Sequence, residues 1–342
     1  MPHLGVSSSP VAVVGFPLGR EKDLDSRFRG NQGLLAVVGW VVPNRVTLFM
    51  FNYVDLLINH QLINQGFLAT TAILGLLWLQ PAQAEIMERI DTTGVLKVGI
   101  RQNVLPLGQR QEGQWTGYCA DIADALAKHL SRDRASPIQV LFITSTTQSR
   151  YSLVANGTVD MECGPNTINP ETEAVYGVRF SAPFFITATQ ILSRPHSQGA
   201  VGVIPSPPLL GVIKDTTNEA DINQVYPRGQ INNAFPDYER GINAVLGGQI
   251  SGFASDGILL VETARRLNLE LNRDYVLTTL RNDFGNAFCA SYGMILPGGA
   301  DDSRWRNMVN FFLSTHREAK NIWRRWFSRV DASIEEVSSL CR

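Results

Sequence analysis

Residues 85–342 predict an α/β fold of two lobes, with the chain crossing between them twice. Three observations carry this reading. Strand-like and helix-like stretches alternate through two successive series. Between the series lies 180–193 (FSAPFFITATQILS), a β-branched and aromatic run that leads into a connector holding Pro195, Pro205, Pro207 and Pro208. After the second series the chain returns, near residue 283, to a strand and to helices rich in aromatics.

The chain has 342 residues, 44% hydrophobic and 18% charged, with a formal net charge of −1. That length holds two domains or more, and the charge gives no argument for nucleic acid or an acidic partner. Residues 67–79 (FLATTAILGLLWL) form an apolar run that is short for a bilayer span. Gln80-Pro81 and then Ala82-Gln83-Ala84 follow it. This matches the h-region and cleavage box of a secretory signal, cut near Ala84, with Glu85 as the first mature residue. A buried core helix is the plain alternative. Its flank lacks the usual basic residues, since 50–66 holds Asp55 and no Lys or Arg. Residues 33–42 are apolar but broken by Pro43-Asn44-Arg45. The segment 1–84 is therefore expected to form no coherent fold and to have no structural role, with translation starting at Met50 or the whole segment removed.

The mature part then reads element by element. Residues 95–100 (VLKVGI) are a strand, and 119–130 a helix with Ile122, Ala125 and Leu126 inward. Residues 138–143 are the second strand. A short amphipathic helix over 147–156 stops at Gly157, and 159–163 is the third strand. Crossovers of this length favour parallel, right-handed pairing, hence a βαβαβ half. A polar turn follows, and 180–193 is the strand that leaves the first lobe. The second series has strands at 209–213, 252–255 and 275–279, with helices at 217–225, 237–246 and 257–267. A strand over 289–296 and helical residues 301–327 close the chain, with Trp305, Phe311, Phe312, Trp323, Trp326 and Phe327 docking on the core. The boundaries implied are 85–185 with 284–342 for the first lobe and 186–283 for the second.

Cys119, Cys163, Cys289 and Cys341 all lie in this part. An even number in an exported chain suggests disulfides, with three connectivities open. Cys163 ends a strand and Cys289 lies in the returning segment, so Cys163–Cys289 is the favoured pair. Four free buried thiols are the alternative. No Cys or His spacing suits a metal, and no cofactor is expected.

Open α/β sheets bind ligands beyond the carboxyl ends of their strands. There the loop Gly164-Pro165-Asn166-Thr167 offers N–H groups, an amide and a hydroxyl, with Arg150 one helix earlier. That suits a small carboxylate, because arginine presents a planar fork of donors.

Six stretches stand in order: LKVGIRQ at 96–102, WTGYCADIADALA at 115–127, SRYSLVANGTVDMECG at 149–164, FSAPFF at 180–185, KDTTNE at 214–219 and FASDGILL at 253–260. Together they resemble the periplasmic amino-acid-binding proteins of ABC importers, solute-binding protein family 3, of glutamate/aspartate or general polar amino-acid type. The resemblance covers about 94–328. It implies a periplasmic-binding-protein-like (type II) clamp with two hinge crossings that captures an acidic or polar L-amino acid. The partner implied is a membrane permease, and the protein would act in the periplasm as a monomer, without catalysis or nucleic acid. Arg150 is the first choice for the ligand's carboxylate, its alternative being a solvated surface side chain. Arg101, just past the first strand, is a second cation for a side-chain carboxylate or amide, its alternative a rim salt bridge. Asp256 is assigned the ligand's ammonium, its alternative a plain helix cap. Thr216 and Thr217 open a helix whose free N–H groups attract anions. Thr147, Asn166, Thr167 and Tyr238 are further lining candidates.

Two departures stand out. Cys119-Ala120 precede Asp121 where the family carries acidic residues, and Thr172 stands where many members have Arg. The carboxylate duty therefore shifts to Arg150 and Arg101. Two rivals share the scaffold: a cyclohexadienyl or arogenate dehydratase-like enzyme, which needs an acid–base pair such as Glu162 and Glu171, and the sensing domain of a receptor.

Overall fold

The computed structural model describes residues 35–42, 45–52, 85–195, 208–328, 337 and 339–341. The apolar run at 67–79, the cleavage box and the middle of the connector lie outside the described residues. The chain divides into two units at Ala82/Gln83. In the first, β1 (Leu35–Val42) pairs antiparallel with β2 (Arg45–Asn52). The apolar stretch before Pro43 is thus a strand paired with the stretch after Asn44.

In the second unit, α1 (Ile86–Thr93) ends at Gly94 and leads into β3 (Val95–Arg101). A small hairpin follows, β4 (Gln109–Gln111) and β5 (Gln114–Thr116). Next come α2 (Tyr118–Leu130), β6 (Gln139–Ser145), α3 (Arg150–Ala155) and β7 (Met161–Cys163). β3 pairs parallel with both β6 and β7, the expected βαβαβ arrangement. The expected polar turn instead holds α4 (Pro170–Tyr176), capped by the Asn169 side chain, which accepts from Glu171 N at 2.8 Å. β8 (Val178–Phe180) then lies at the edge of a five-stranded sheet of order β6, β3, β7, β15, β8, where β15 is Ile295–Pro297.

β9 (Phe185–Ser193) belongs to the other, six-stranded sheet. That sheet adds β10 (Leu209–Gly211), β11 (Gln230–Asn232), β12 (Gly252–Asp256), β13 (Val276–Thr279) and β14 (Cys289–Tyr292). Its helices are α5 (Thr217–Val225), α6 (Tyr238–Leu246) and α7 (Gly257–Arg266). Gly241 lets α6 lie against the ring of Phe253, where a Cβ would stand 2.3 Å from Cε2.

The expected single strand over 289–296 is two strands. β14 pairs with the first half of β9, from Cys289↔Ala188 to Tyr292↔Phe185, and β15 joins the five-stranded sheet after Gly293-Met294. Gly293 stands at the break, and an isolated glycine inside a strand pattern is the one mark of it in the sequence. Likewise, 301–327 is two helices, α8 (Ser303–Thr315) and α9 (Arg317–Phe327), parted by the extended backbone of His316 (φ −72°, ψ 129°). α9 docks through Phe327, which stacks on Phe185 with centroids 4.7 Å apart. Trp305 is fully buried and donates to Asp160 O at 2.8 Å. Phe311 is 57% exposed and Trp323 38% exposed, so the expectation that both are core aromatics is corrected.

The expected Cys163–Cys289 bond does not form. Cys119 pairs with Cys163 and Cys289 with Cys341, with Cα atoms 5.6 and 5.7 Å apart. The reason is topological: Cys289 sits on the crossing strand β14, and the end of β7 faces the first turn of α2.

Candidate ligand-binding cleft

The carboxyl ends of β3 and β7 and the first turns of α5, α6 and α7 converge on one cleft. It brings together Arg101, Thr147, Arg150, Thr167, Thr216, Thr217, Tyr238 and Asp256, and adds Tyr151, Pro165 and Asn218. Asn166 does not line it. That residue is fully buried behind the cleft, with Nδ2 donating to Glu162 Oε2 at 2.5 Å.

Arg101 leaves the end of β3 buried, 6% exposed. Its Nε donates to Glu162 Oε1 at 3.3 Å and its Nη1 to Thr147 Oγ1 at 3.0 Å. Burial draws this guanidinium below its ordinary value, Glu162 pulls it back up, and Arg150 lowers it further. Glu162 is fully buried on β7, and Ser145 Oγ also donates to it at 2.6 Å. Gly99 makes room for it, since a Cβ there would lie 2.8 Å from Glu162 Cγ.

Arg150 opens α3, with its guanidinium 4.3 Å from the centroid of the Tyr151 ring. Nη1 donates to the carbonyl of Thr147, Nη2 to the carbonyl of Asp215 at 3.3 Å, and the buried Nε has no partner. Among the described residues no carboxylate pairs with Arg150. The Asp215 bond reaches across the cleft, as do the hydroxyls of Thr167 and Thr217, 3.3 Å apart.

Asp256 ends β12 and precedes α7, yet its side chain caps nothing. Instead Oδ2 accepts from Tyr292 OH at 2.5 Å and Oδ1 from Asn218 Nδ2 at 3.2 Å. No cation of the described chain pairs with it. Burial pushes its carboxyl up to about 6, against the lowering effect of those two hydrogen bonds. Tyr238, at the start of α6, is pushed up to about 12 by burial, with Arg101 opposing. Thr216 donates to Ile213 O at 2.7 Å rather than capping α5.

Of the supporting residues, Ser145, Asn218 and Tyr292 escaped the sequence reading, and Glu162 entered it only as a conceivable catalytic acid, not as the partner of Arg101. Glu162 carried a signal, an acid inside a short, otherwise apolar strand, because a buried charge demands a partner. Asn218 and Tyr292 carried none.

Two lobes around a polar cleft make the clamp architecture of ligand-binding proteins. The family described as bacterial extracellular solute-binding proteins, family 3, matches residues 96–329, and the chain belongs to it. It is 24% identical over 255 residues to the glutamate/aspartate import solute-binding protein of Escherichia coli (strain K12), covering 72% of this chain and 81% of that protein. It is 31% identical over 134 residues to the L-glutamate/L-aspartate-binding protein of Pseudomonas aeruginosa, covering 37% of this chain and 44% of that one. Among solved structures, the ancestral amino acid-binding protein AncCDT-1, a precursor of cyclohexadienyl dehydratase, aligns with TM-score 0.59 and 21% identity over 71% of this chain and all (100%) of that one. The solute receptor for L-cysteine of Neisseria gonorrhoeae aligns with TM-score 0.58 and 21% identity, covering 71% and 94%. The fold is the type II clamp of amino-acid-binding proteins.

Proposed function

We propose that the protein captures an L-amino acid with a polar side chain, acidic or neutral, and delivers it to the permease of an ABC importer. It acts as a periplasmic monomer after a signal is cut near Ala84. One observation carries the reading: the cleft holds cations on the five-stranded side, Arg101 and Arg150, and the carboxylate of Asp256 on the six-stranded side. A zwitterion fits that separation, its carboxylate on Arg150 and its ammonium on Asp256. The lobes are 85–185 with 284–342 and 186–283, and 181–188 with 289–294 form the hinge. Closure follows because a ligand held by one lobe gains contacts from the other only in the closed form.

No covalent step is assigned. The acids a dehydratase would use are elsewhere: Glu162 is sealed under Arg101 and Ser145, and Glu171 is exposed on α4. Calorimetry of the purified chain against the twenty amino acids tests the proposal. A dissociation constant tighter than millimolar, about −4 kcal/mol, is expected for at least one polar amino acid; none reaching it sinks the reading.

A further inference from the structure

Outside the cleft, a second hollow of about 350 Å³ lies where α8 and α9 meet the segment 182–184, and it shares no residue with the cleft. That volume falls within the roughly 300–1,000 Å³ of small-molecule sites. Its wall is aromatic. Tyr118, at the start of α2, stacks on Phe184 with centroids 4.9 Å apart, and Trp323 of α9 lines the same hollow. Leu313 adds aliphatic surface. The wall is held in place from within the chain. Trp323 Nε1 donates to Phe184 O at 2.6 Å, and Ala182 N donates to Asn310 Oδ1 at 2.7 Å. Although anchored in this way, Trp323 stays 38% exposed, so part of a fixed indole is open to a visitor.

Two polar features of the hollow are unspent. Tyr118 is only 2% exposed, yet its hydroxyl has no hydrogen bond among the described residues. Burial alone acts on this phenol and pushes it up. A buried tyrosine hydroxyl normally finds a partner. The second feature is positive charge. Lys320 and Arg324 stand one turn apart on α9 at the hollow, and neither pairs with a carboxylate among the described residues. Arg324 has the amide oxygen of Asn321, at 3.3 Å. The lining contains no acidic residue.

Two cations and no acid favour an anion, and arginine suits a carboxylate in particular. Both side chains are exposed, so water and salt screen them, and a bare anion gains little there. The aromatic wall supplies what is missing, since a flat ring stacks on it and buries apolar surface. A free amino acid is poorly served, because nothing in the lining takes its ammonium. In that respect the hollow differs from the cleft, whose lining includes Asp256.

We propose that this hollow is a second ligand site, for a small aromatic carboxylate without an ammonium group. The ring lies against Tyr118, Phe184 and Trp323, the carboxylate meets Lys320 and Arg324, and the Tyr118 hydroxyl gains a partner from the ligand. The site does not depend on what the cleft binds.

Calorimetry of the purified chain with phenylacetate and indole-3-acetate, each beside its neutral amide, tests the site. At least one carboxylate is expected to bind at millimolar or tighter, and tenfold or more tighter than its amide. Failure of both carboxylates to bind, or amides that bind equally well, overturns the proposal. Lys320→Gln with Arg324→Gln changes two exposed side chains and is expected to erase most of the preference for the carboxylate; a preserved preference overturns it. Tyr118→Phe is expected to weaken binding threefold or more while leaving the melting temperature of the ligand-free protein unchanged or raised, because no bond of that hydroxyl is lost. A lowered melting temperature with unchanged binding overturns the role of the hydroxyl. Phenylacetate binding that disappears in Arg150→Ala traces the probe to the cleft and overturns the second site. So does a dimer in sedimentation that Trp323→Ala dissolves, which gives the hollow to a second copy of the chain.

Discussion

Asp256 is buried at the end of β12 with a phenol and an amide for partners and no cation among the described residues. Its carboxyl is pushed up to about 6 by burial, and on the proposed function it pairs with the ligand's ammonium. Only its charged form pairs with one, so affinity is expected to weaken as pH falls below about 6, by about tenfold per unit at the limit. Titration calorimetry between pH 5 and 8 reads this, and a flat profile removes Asp256 from the site. The sign for stability is the reverse. With the folded pKa raised above the unfolded value, the folded state without ligand binds the proton more readily, so its stability falls as pH rises from about 4 through about 6. Melting temperatures of the ligand-free protein across that window check it. Arg150 has the complementary place. Arg150→Ala is expected to weaken binding by roughly 30-fold to several thousandfold, the ~2–5 kcal/mol that follows from removing one partner of a buried charge pair. An affinity within threefold of the parent moves the carboxylate subsite elsewhere.

At the scale of elements, the cleft depends on β3 and β7 lying close enough for Glu162 to tuck under Arg101. Gly99 is the point of closest approach. Gly99→Ala is expected to cost about 1–3 kcal/mol by overpacking, lowering the melting temperature by several degrees and weakening binding with it, because Arg101 is two residues further along the same strand. Scanning calorimetry and the ligand titration measure both effects. The helices that carry the cleft were readable because each buries one face, and the fully buried strands β7 and β12 because they are short, mostly apolar runs between turns. α4 was not, since it buries no side chain and so leaves no periodicity; only Asn169-Pro170, a cap followed by proline at the first helical position, announced it. The cleft's charged residues were legible from their places at strand ends and helix starts. Asn218 and Tyr292 were not, because their bonds to Asp256 span 38 and 36 residues in sequence and arise only when the chain is folded. The disulfides failed for the same reason.

At the scale of the whole molecule, the Cys119–Cys163 bond closes a sequence separation of 44 and fastens α2 to the strand end from which the 164–167 loop departs. In the chain-entropy view such a link is worth about 4 kcal/mol. Replacing both cysteines by serine is therefore expected to lower stability by up to that amount in denaturant unfolding; a loss under ~1 kcal/mol would mean the unfolded chain is already restrained there. The two crossings have a further consequence. β8 with β15 and β9 with β14 are paired on either side, and between them Ser181 N donates to Met294 O and Phe184 N to Tyr292 O, each at 2.9 Å. The crossings are thus zipped into one continuous two-stranded ribbon rather than two separate tethers. Separate tethers let two bodies slide, swing and twist independently. A hydrogen-bonded ribbon resists sliding, because shear would break its ladder, yet it bends and twists readily. On the proposed mechanism this axle leaves the lobes few ways to be open, so closing them sacrifices little freedom of motion, and the strength of capture is left to the handful of polar groups in the cleft.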